Sequence, residues 1–181
     1  MNIELTPLEG CLLLKPNIFT DKRGYFFESF NQKSFNDATG IETQFIQDNQ
    51  SFSTKGTLRG LHFQKGEHAQ AKLVRVIKGE VLDVAVDLRP GSATYGQYYK
   101  TLLSEENNLQ LFIPRGFGHG FVVLSDTAIF FYKCDNYYNK ASEGGIHYAD
   151  PVLNIDWTLP KDELIVSAKD QVLPFFETLE A

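Results

Sequence analysis

The chain has 181 residues, 43% of them hydrophobic and 22% charged. That excludes a disordered or fibrous protein and suits one domain that buries its core without disulfide or metal staples. Its 17 basic and 23 acidic side chains leave a net charge of −6, the wrong sign for a protein whose main partner is nucleic acid.

With 15 Phe, 8 Tyr, 14 Gly and 7 Pro, the composition leans towards strands and turns. At the start, Asn2, Glu4 and Glu9 interrupt any apolar stretch, so no signal peptide is expected. Residues 11–14 are a short apolar run. An aromatic strand at 25–30 follows the turn Asp21-Lys22-Arg23-Gly24, and residues 31–37 predict a short helix. Residues 44–51 alternate, with Phe45, Gln47, Asn49 and Ser51 on one side. Further strands are expected at 57–64, 72–77, 81–88, 98–103, 109–113, 121–124 and 127–133, and a single helical turn at 161–165. Many short strands at close spacing predict an all-β sandwich or barrel. Along 81–88, Leu82, Val84, Val86 and Leu88 form a core face. Asp83 and Asp87, beside Val81 and Ala85, read as a solvated face or internal salt bridges. No apolar run approaches the roughly 18 residues of a membrane span. Cys11 and Cys134 lie far apart and read as buried thiols, which points to a reducing, cytoplasmic setting.

Of the four histidines, two stand out. His62 sits in an otherwise apolar strand, LRGLHFQ at 58–64, where a core histidine is the plain alternative. His119 lies in a turn with Pro114, Gly116, Gly118 and Gly120, expected to have unusual backbone angles as the chain re-enters the sheet. The pattern P-x-G-x-x-H is similar to the second motif of the cupins, small jelly-roll barrels built as a double-stranded β-helix. Their first motif carries H-x-H and a Glu. Here it reads His62-Phe63-Gln64, so one of the expected metal ligands is missing and no metal is expected.

Several segments together resemble the RmlC family, the dTDP-4-dehydrorhamnose 3,5-epimerases of dTDP-L-rhamnose biosynthesis. They are FTDKRGYFFE at 19–28, QDNQS at 47–51, LRGLHFQ at 58–64, QAKLV at 70–74, GEVLDVAVDLR at 79–89, IPRGFGHGF at 113–121, Tyr132-Lys133, Asp150-Pro151 and SAKD at 167–170. The resemblance runs from about Phe19 to Pro174. It implies a cupin-type jelly roll, one domain over 1–181, and a cofactor-free epimerisation at C3 and C5 of dTDP-4-dehydro-6-deoxy-D-glucose. The C4 ketone acidifies both neighbouring C–H bonds, so the chemistry needs a base on one face, an acid on the other and a cation at the enolate oxygen.

The resemblance implies His62 as base, Asp170 as its carboxylate partner, Tyr132 as acid and Lys72 as the enolate cation. Without it, Asp170 reads as a surface ion pair beside Lys169, Tyr132 as a core aromatic with a tied hydroxyl, and Lys72 as a snorkelling chain. The implied nucleotide-sugar site takes Arg23, Glu28, Gln47, Asn49, Arg59, His119, Tyr138, Glu143 and Lys169, with Tyr138 stacking on the thymine. It further implies a homodimer that exchanges an N-terminal strand, with Arg23 and Glu28 supplied by the partner. Strict alternation sets Arg59 opposite His62, so both can face one pocket only if a bulge falls at Gly60. The remaining alternatives are a single-centre epimerase at C3 or C5, a metal-dependent cupin with His62 and His119 as ligands, and a silent sugar-binding barrel.

Overall fold

The computed structural model describes residues 1–179. In chain order the strands are β1 (Asn2–Leu5), β2 (Leu12–Lys15), β3 (Phe19–Asp21) and β4 (Gly24–Phe26), then helix α1 (Gln32–Thr39). There follow β5 (Gln47–Thr54), β6 (Thr57–Gln64), β7 (Lys72–Lys78), β8 (Glu80–Asp87) and β9 (Tyr98–Ser104). The last are β10 (Gln110–Ile113), β11 (Phe117–Val123), β12 (Thr127–Cys134), β13 (Glu143–Gly145) and β14 (Ile165–Val166).

Two sheets face one another. The first runs β1-β2-β10-β7-β12-β5, the second β13-β6-β11-β8-β9 with β14 beside β6. All pairings are antiparallel except β14 with β6. This is the expected all-β jelly roll of cupin type. Alternation along each strand sends one set of side chains between the sheets. There Val74, Val76, Leu111 and Phe130 meet Val81, Ala85, Phe121 and Val123 in the main core. The outer face of the second sheet is covered by C-terminal segments through Leu153 and Trp157. The outer face of the first is covered by α1, whose Phe35 packs on Leu12, Leu14, Leu73 and Phe112. Asn31 caps that helix by accepting from the Ser34 N–H at 3.0 Å, a contact worth about 1 kcal/mol.

Residues 81–88 are covered on both faces: the C-terminal segments lie on Leu82, Val84 and Val86, and the opposing sheet lies on the face of Val81 and Ala85. Leu82, Val84 and Val86 are core as expected, but the other face is core too, and Asp83 and Asp87 are both 0% exposed. The solvated-face reading fails because β8 is central and packed on both sides; the internal-pair reading holds. Asp87 accepts from Arg89 Nε (2.9 Å) and Nη2 (2.7 Å), Ser92 Oγ (2.6 Å) and Thr94 Oγ1 (2.6 Å). Burial would raise its pKa, but these donors outweigh burial and hold the carboxyl far below the ordinary range. Asp87→Asn is therefore expected to cost about 2–4 kcal/mol of stability at pH 7. The gap to the unaltered protein should close as pH falls below about 3.9, where the unfolded carboxyl takes a proton that the folded one refuses. Denaturant titrations between pH 7 and pH 3 measure this.

Other boundaries differ. The aromatic segment 25–30 is strand only to Phe26, and the 44–51 strand starts three residues later, at Gln47. The turn expected around His119 ends at Gly116, which alone of its three glycines has a positive φ; Gly118 and Gly120 lie within β11. They are small for another reason. A Cβ on Gly120 would sit 2.8 Å from the Arg59 carbonyl oxygen.

Candidate active site

A cavity of about 340 Å³ opens at one end of the barrel, between the two sheets. Strand β6 lines one wall, and its register holds the answer to the Arg59 difficulty. His62 pairs with His119, yet Arg59 pairs with Phe121, so three steps on β6 oppose two on β11. One extra residue is accommodated at Gly60, with φ +133°, where a side chain would meet Gly120 Cα at 2.5 Å. Leu58 and Leu61 consequently both join the outer cluster, while Arg59 and His62 both enter the cavity.

His62 Nε2 lies 2.7 Å from Asp170 Oδ1. Asp170 is 3% exposed, so the surface-pair reading is corrected: Lys169 instead bonds Glu143 Oε2 at 2.6 Å. Burial would raise the Asp170 pKa. The bond to His62, with help from the Gly60 N–H and Ser167, holds it below the usual range, so the group stays ionised. An ionised carboxylate only accepts, which puts a proton on Nε2 and leaves Nδ1 with its lone pair. This is how a fixed carboxylate makes an imidazole a base of defined orientation. The second cavity histidine, His119, is likewise bonded through Nε2 to Asp83 Oδ2 at 2.9 Å. Among the described residues no three His, Cys, Asp or Glu side chains converge as a metal-binding set.

The facing wall comes from the first sheet. β7 contributes Lys72 and β12 contributes Tyr132, with the Lys72 ammonium 5.9 Å from the Tyr132 ring centre. Val74, Val76 and Phe130, which share their strands' inward parity, pack in the core below. Lys72 Nζ has no hydrogen-bond or ion-pair partner among the described residues, and burial lowers its pKa. A snorkelling lysine would carry its ammonium to bulk water; this one is directed into the cavity. The Tyr132 hydroxyl also has no protein partner among the described residues, so it is not a tied core tyrosine. Burial raises its pKa, against a smaller opposing effect of Arg59, and keeps it a protonated phenol at neutral pH.

Of the remaining expected residues, Asn49, Arg59, His119, Tyr138 and Glu143 line the same cavity. Gln47 stands behind them, donating to Asn49 Oδ1 (3.1 Å) and accepting from the Tyr138 N–H (3.1 Å). Arg23 and Glu28 do not reach it. Arg23 sits on the β3–β4 hairpin bonded to Asp21, and Glu28 accepts from Asn31 near α1. The cavity also holds Gln50, Ser51, Phe63, Gln64, Gln70, Phe121, Phe130 and Gly144, none of them among the residues expected from sequence. Strand parity signals three of these: Ser51 with Asn49, Phe121 with His119 and Phe130 with Tyr132. Phe121 and Phe130 stack at 4.1 Å and form an apolar floor.

A jelly-roll barrel with a carboxylate-backed imidazole facing a phenol and an ammonium belongs to the class of sites that move protons on and off a carbon acid. The family model described as dTDP-4-dehydrorhamnose 3,5-epimerase matches residues 5–178, and the chain belongs to that family. It is 51% identical over 173 residues to the dTDP-4-dehydrorhamnose 3,5-epimerase of Escherichia coli K12, covering 96% of this chain and 93% of that one. The crystal structure of the corresponding enzyme from Elizabethkingia anophelis superposes with a TM-score of 0.95 at 55% identity, covering 98% and 97% of the two chains. The Legionella pneumophila RmlC structure in complex with dTDP-4-keto-L-rhamnose gives a TM-score of 0.95 at 47% identity, covering 99% and 94%.

Proposed function

We infer that this protein epimerises C3 and C5 of dTDP-4-dehydro-6-deoxy-D-glucose, giving dTDP-4-dehydro-L-rhamnose. The observation that carries this reading is the placement of His62 and Tyr132 on opposing sheets across one cavity, with Lys72 between the core and the opening. His62 Nδ1 takes the proton from the carbon next to the ketone, and the electron pair moves onto the C4 oxygen. The Lys72 ammonium stabilises that oxyanion, which is worth most in a site shielded from water. Tyr132 then delivers a proton to the opposite face of the carbon, and the ketone re-forms with inverted configuration. His62 then releases its proton to solvent and Tyr132 regains one, and repetition at the second carbon completes the reaction. The substrate's own carbonyl is the electron sink, so the mechanism calls for no cofactor.

Arg59 offers its guanidinium to the diphosphate, and Tyr138 its ring to the thymine. Asn49, His119, Glu143 and Lys169 supply further polar contacts, with Gln47 bracing the rim. The site is completed by a second copy: the β3–β4 hairpin crosses to it, bringing Arg23 and then Glu28 to the partner's nucleotide. One feature supports that exchange. Every residue of the hairpin strands is exposed, including Phe19 at 65%, Tyr25 at 60% and Phe26 at 70%. Such an apolar arm is unusual on a chain that works alone. The whole chain acts as one domain. The two buried, unpaired thiols agree with work in the cytoplasm, and no helix among the described residues is long and apolar enough to cross a membrane.

The decisive experiment is turnover in deuterated water followed by proton NMR. Two deuterons in the sugar, at C3 and C5, are expected. One deuteron would replace this reading with a single-centre epimerase, and none would leave a binding protein.

A further inference from the structure

His119 at the cavity wall belongs to a second carboxylate–imidazole pair, whose carboxylate the mechanism above leaves without a task, and its details differ from the first. Asp83 and His119 are the inward residues of neighbouring strands β8 and β11, and His119 is the direct cross-strand neighbour of His62. Asp83 is 0% exposed, and its Oδ2 lies 2.9 Å from His119 Nε2. Its other oxygen, Oδ1, is buried and meets no donor among the described residues. A carboxylate with one hydrogen bond in the core is an expensive way to stabilise a fold, since each unmet lone pair costs about 1–3 kcal/mol. The one bond it does make sets a ring at the cavity wall. His119 stacks on Phe130, with ring centres 5.9 Å apart, so the plane of the imidazole is fixed as well.

We propose that Asp83 is a positioning residue that holds His119 in its Nε2–H form, so that Nδ1 stands in the cavity as a neutral acceptor for a hydroxyl of the bound sugar. This rests on the epimerase reading and deepens it by giving the second histidine a task opposite to that of an acid. Nδ1 has no hydrogen-bond partner among the described residues, and His119 lines the cavity. Burial lowers the His119 pKa despite the opposing charge of Asp83, with Lys72 and His62 adding to the lowering. A neutral ring with a bare Nδ1 cannot protonate a carbanion. It can accept from the alcohol groups that distinguish the sugar ring from its ketone.

The test reads the ring directly. Long-range ¹H–¹⁵N spectra of the uniformly labelled protein at pH 8, with His119 assigned by its loss in His119→Gln, should show Nε2 protonated and Nδ1 bare. Asp83→Asn can present an amide N–H to Nε2 and so move the ring proton to Nδ1. In that variant the expected KM rises about tenfold while kcat falls less than threefold, and the thermal midpoint stays within a few degrees. A cavity acceptor that has become a donor weakens binding without touching His62. A His119 found as imidazolium or as the Nδ1–H form in the unaltered protein overturns the proposal, whether or not Asp83→Asn folds. So does an Asp83→Asn enzyme with unchanged KM and an inverted tautomer. The spectra need no turnover, so failure of the epimerase reading and failure of this proposal are distinguishable.

Discussion

Replacing His62 with alanine is expected to remove proton exchange at both sugar carbons and to lower kcat by at least about 10³-fold, at the upper end of what a positioned base contributes. Affinity for dTDP should survive. The imidazole contacts Asp170 and the cavity, whereas the groups assigned to the diphosphate and thymine, Arg59 and Tyr138, are held by other bonds. Arg59 Nε, for instance, donates to Ser53 Oγ at 3.1 Å. The His62 side chain is 39% exposed, so truncation leaves no sealed void in the core. Calorimetric titration with dTDP, beside a deuterium-exchange assay, separates the roles. If nucleotide binding and the thermal midpoint fall together with turnover, His62 is a structural residue and the base lies elsewhere.

Tyr132→Phe should split the reaction. The ring keeps its place beside Phe130, with centres 6.1 Å apart, and loses only the hydroxyl. His62 can still remove a proton and return a deuteron to the face it came from, so deuterium should still enter the sugar. Inversion needs a donor on the other face, and the rate of product formation should fall by about 10²–10⁴-fold. Proton NMR of substrate recovered from deuterated water, set against product formation, gives both numbers. Normal product formation in this variant means that another group is the acid. The raised pKa of Tyr132 suits the assignment: the residue must arrive protonated, and the developing carbanion rather than bulk water draws its proton away.

Much of this site could be read before the fold was seen, because inward parity is a local property. Gln47, Asn49 and Ser51 share a side of β5, and Lys72 shares parity with Val74 and Val76, just as a period of two requires. What could not be read was what lies against a strand's second face. Asp83 and Asp87 read as solvated from sequence because their face is buried by the opposing sheet, and no local pattern places β7, β10 and β12 against it. Asp170 was legible only through the family resemblance, since no local pattern reveals a bond spanning 108 residues. The remaining misses were strand ends. Residues 27–30 have the aromatic composition of a strand yet pair with nothing, as Phe27 is drawn to Arg75 at 5.0 Å and Phe30 to Phe45. Short strands at the chain's periphery, such as β13 and β14, carry too few residues to show a period at all.

The extra residue at Gly60 has a bearing on what the cavity can measure. It sets a guanidinium and an imidazole on the same wall three positions apart, on a strand clamped by β11 on one side and by β13 and β14 on the other. On the proposed roles, these are the anchors for the diphosphate and for the reacting carbon. Their separation is thus a built-in gauge of linker length, and a sugar joined through a single phosphate would hang short of the base however well its ring fitted.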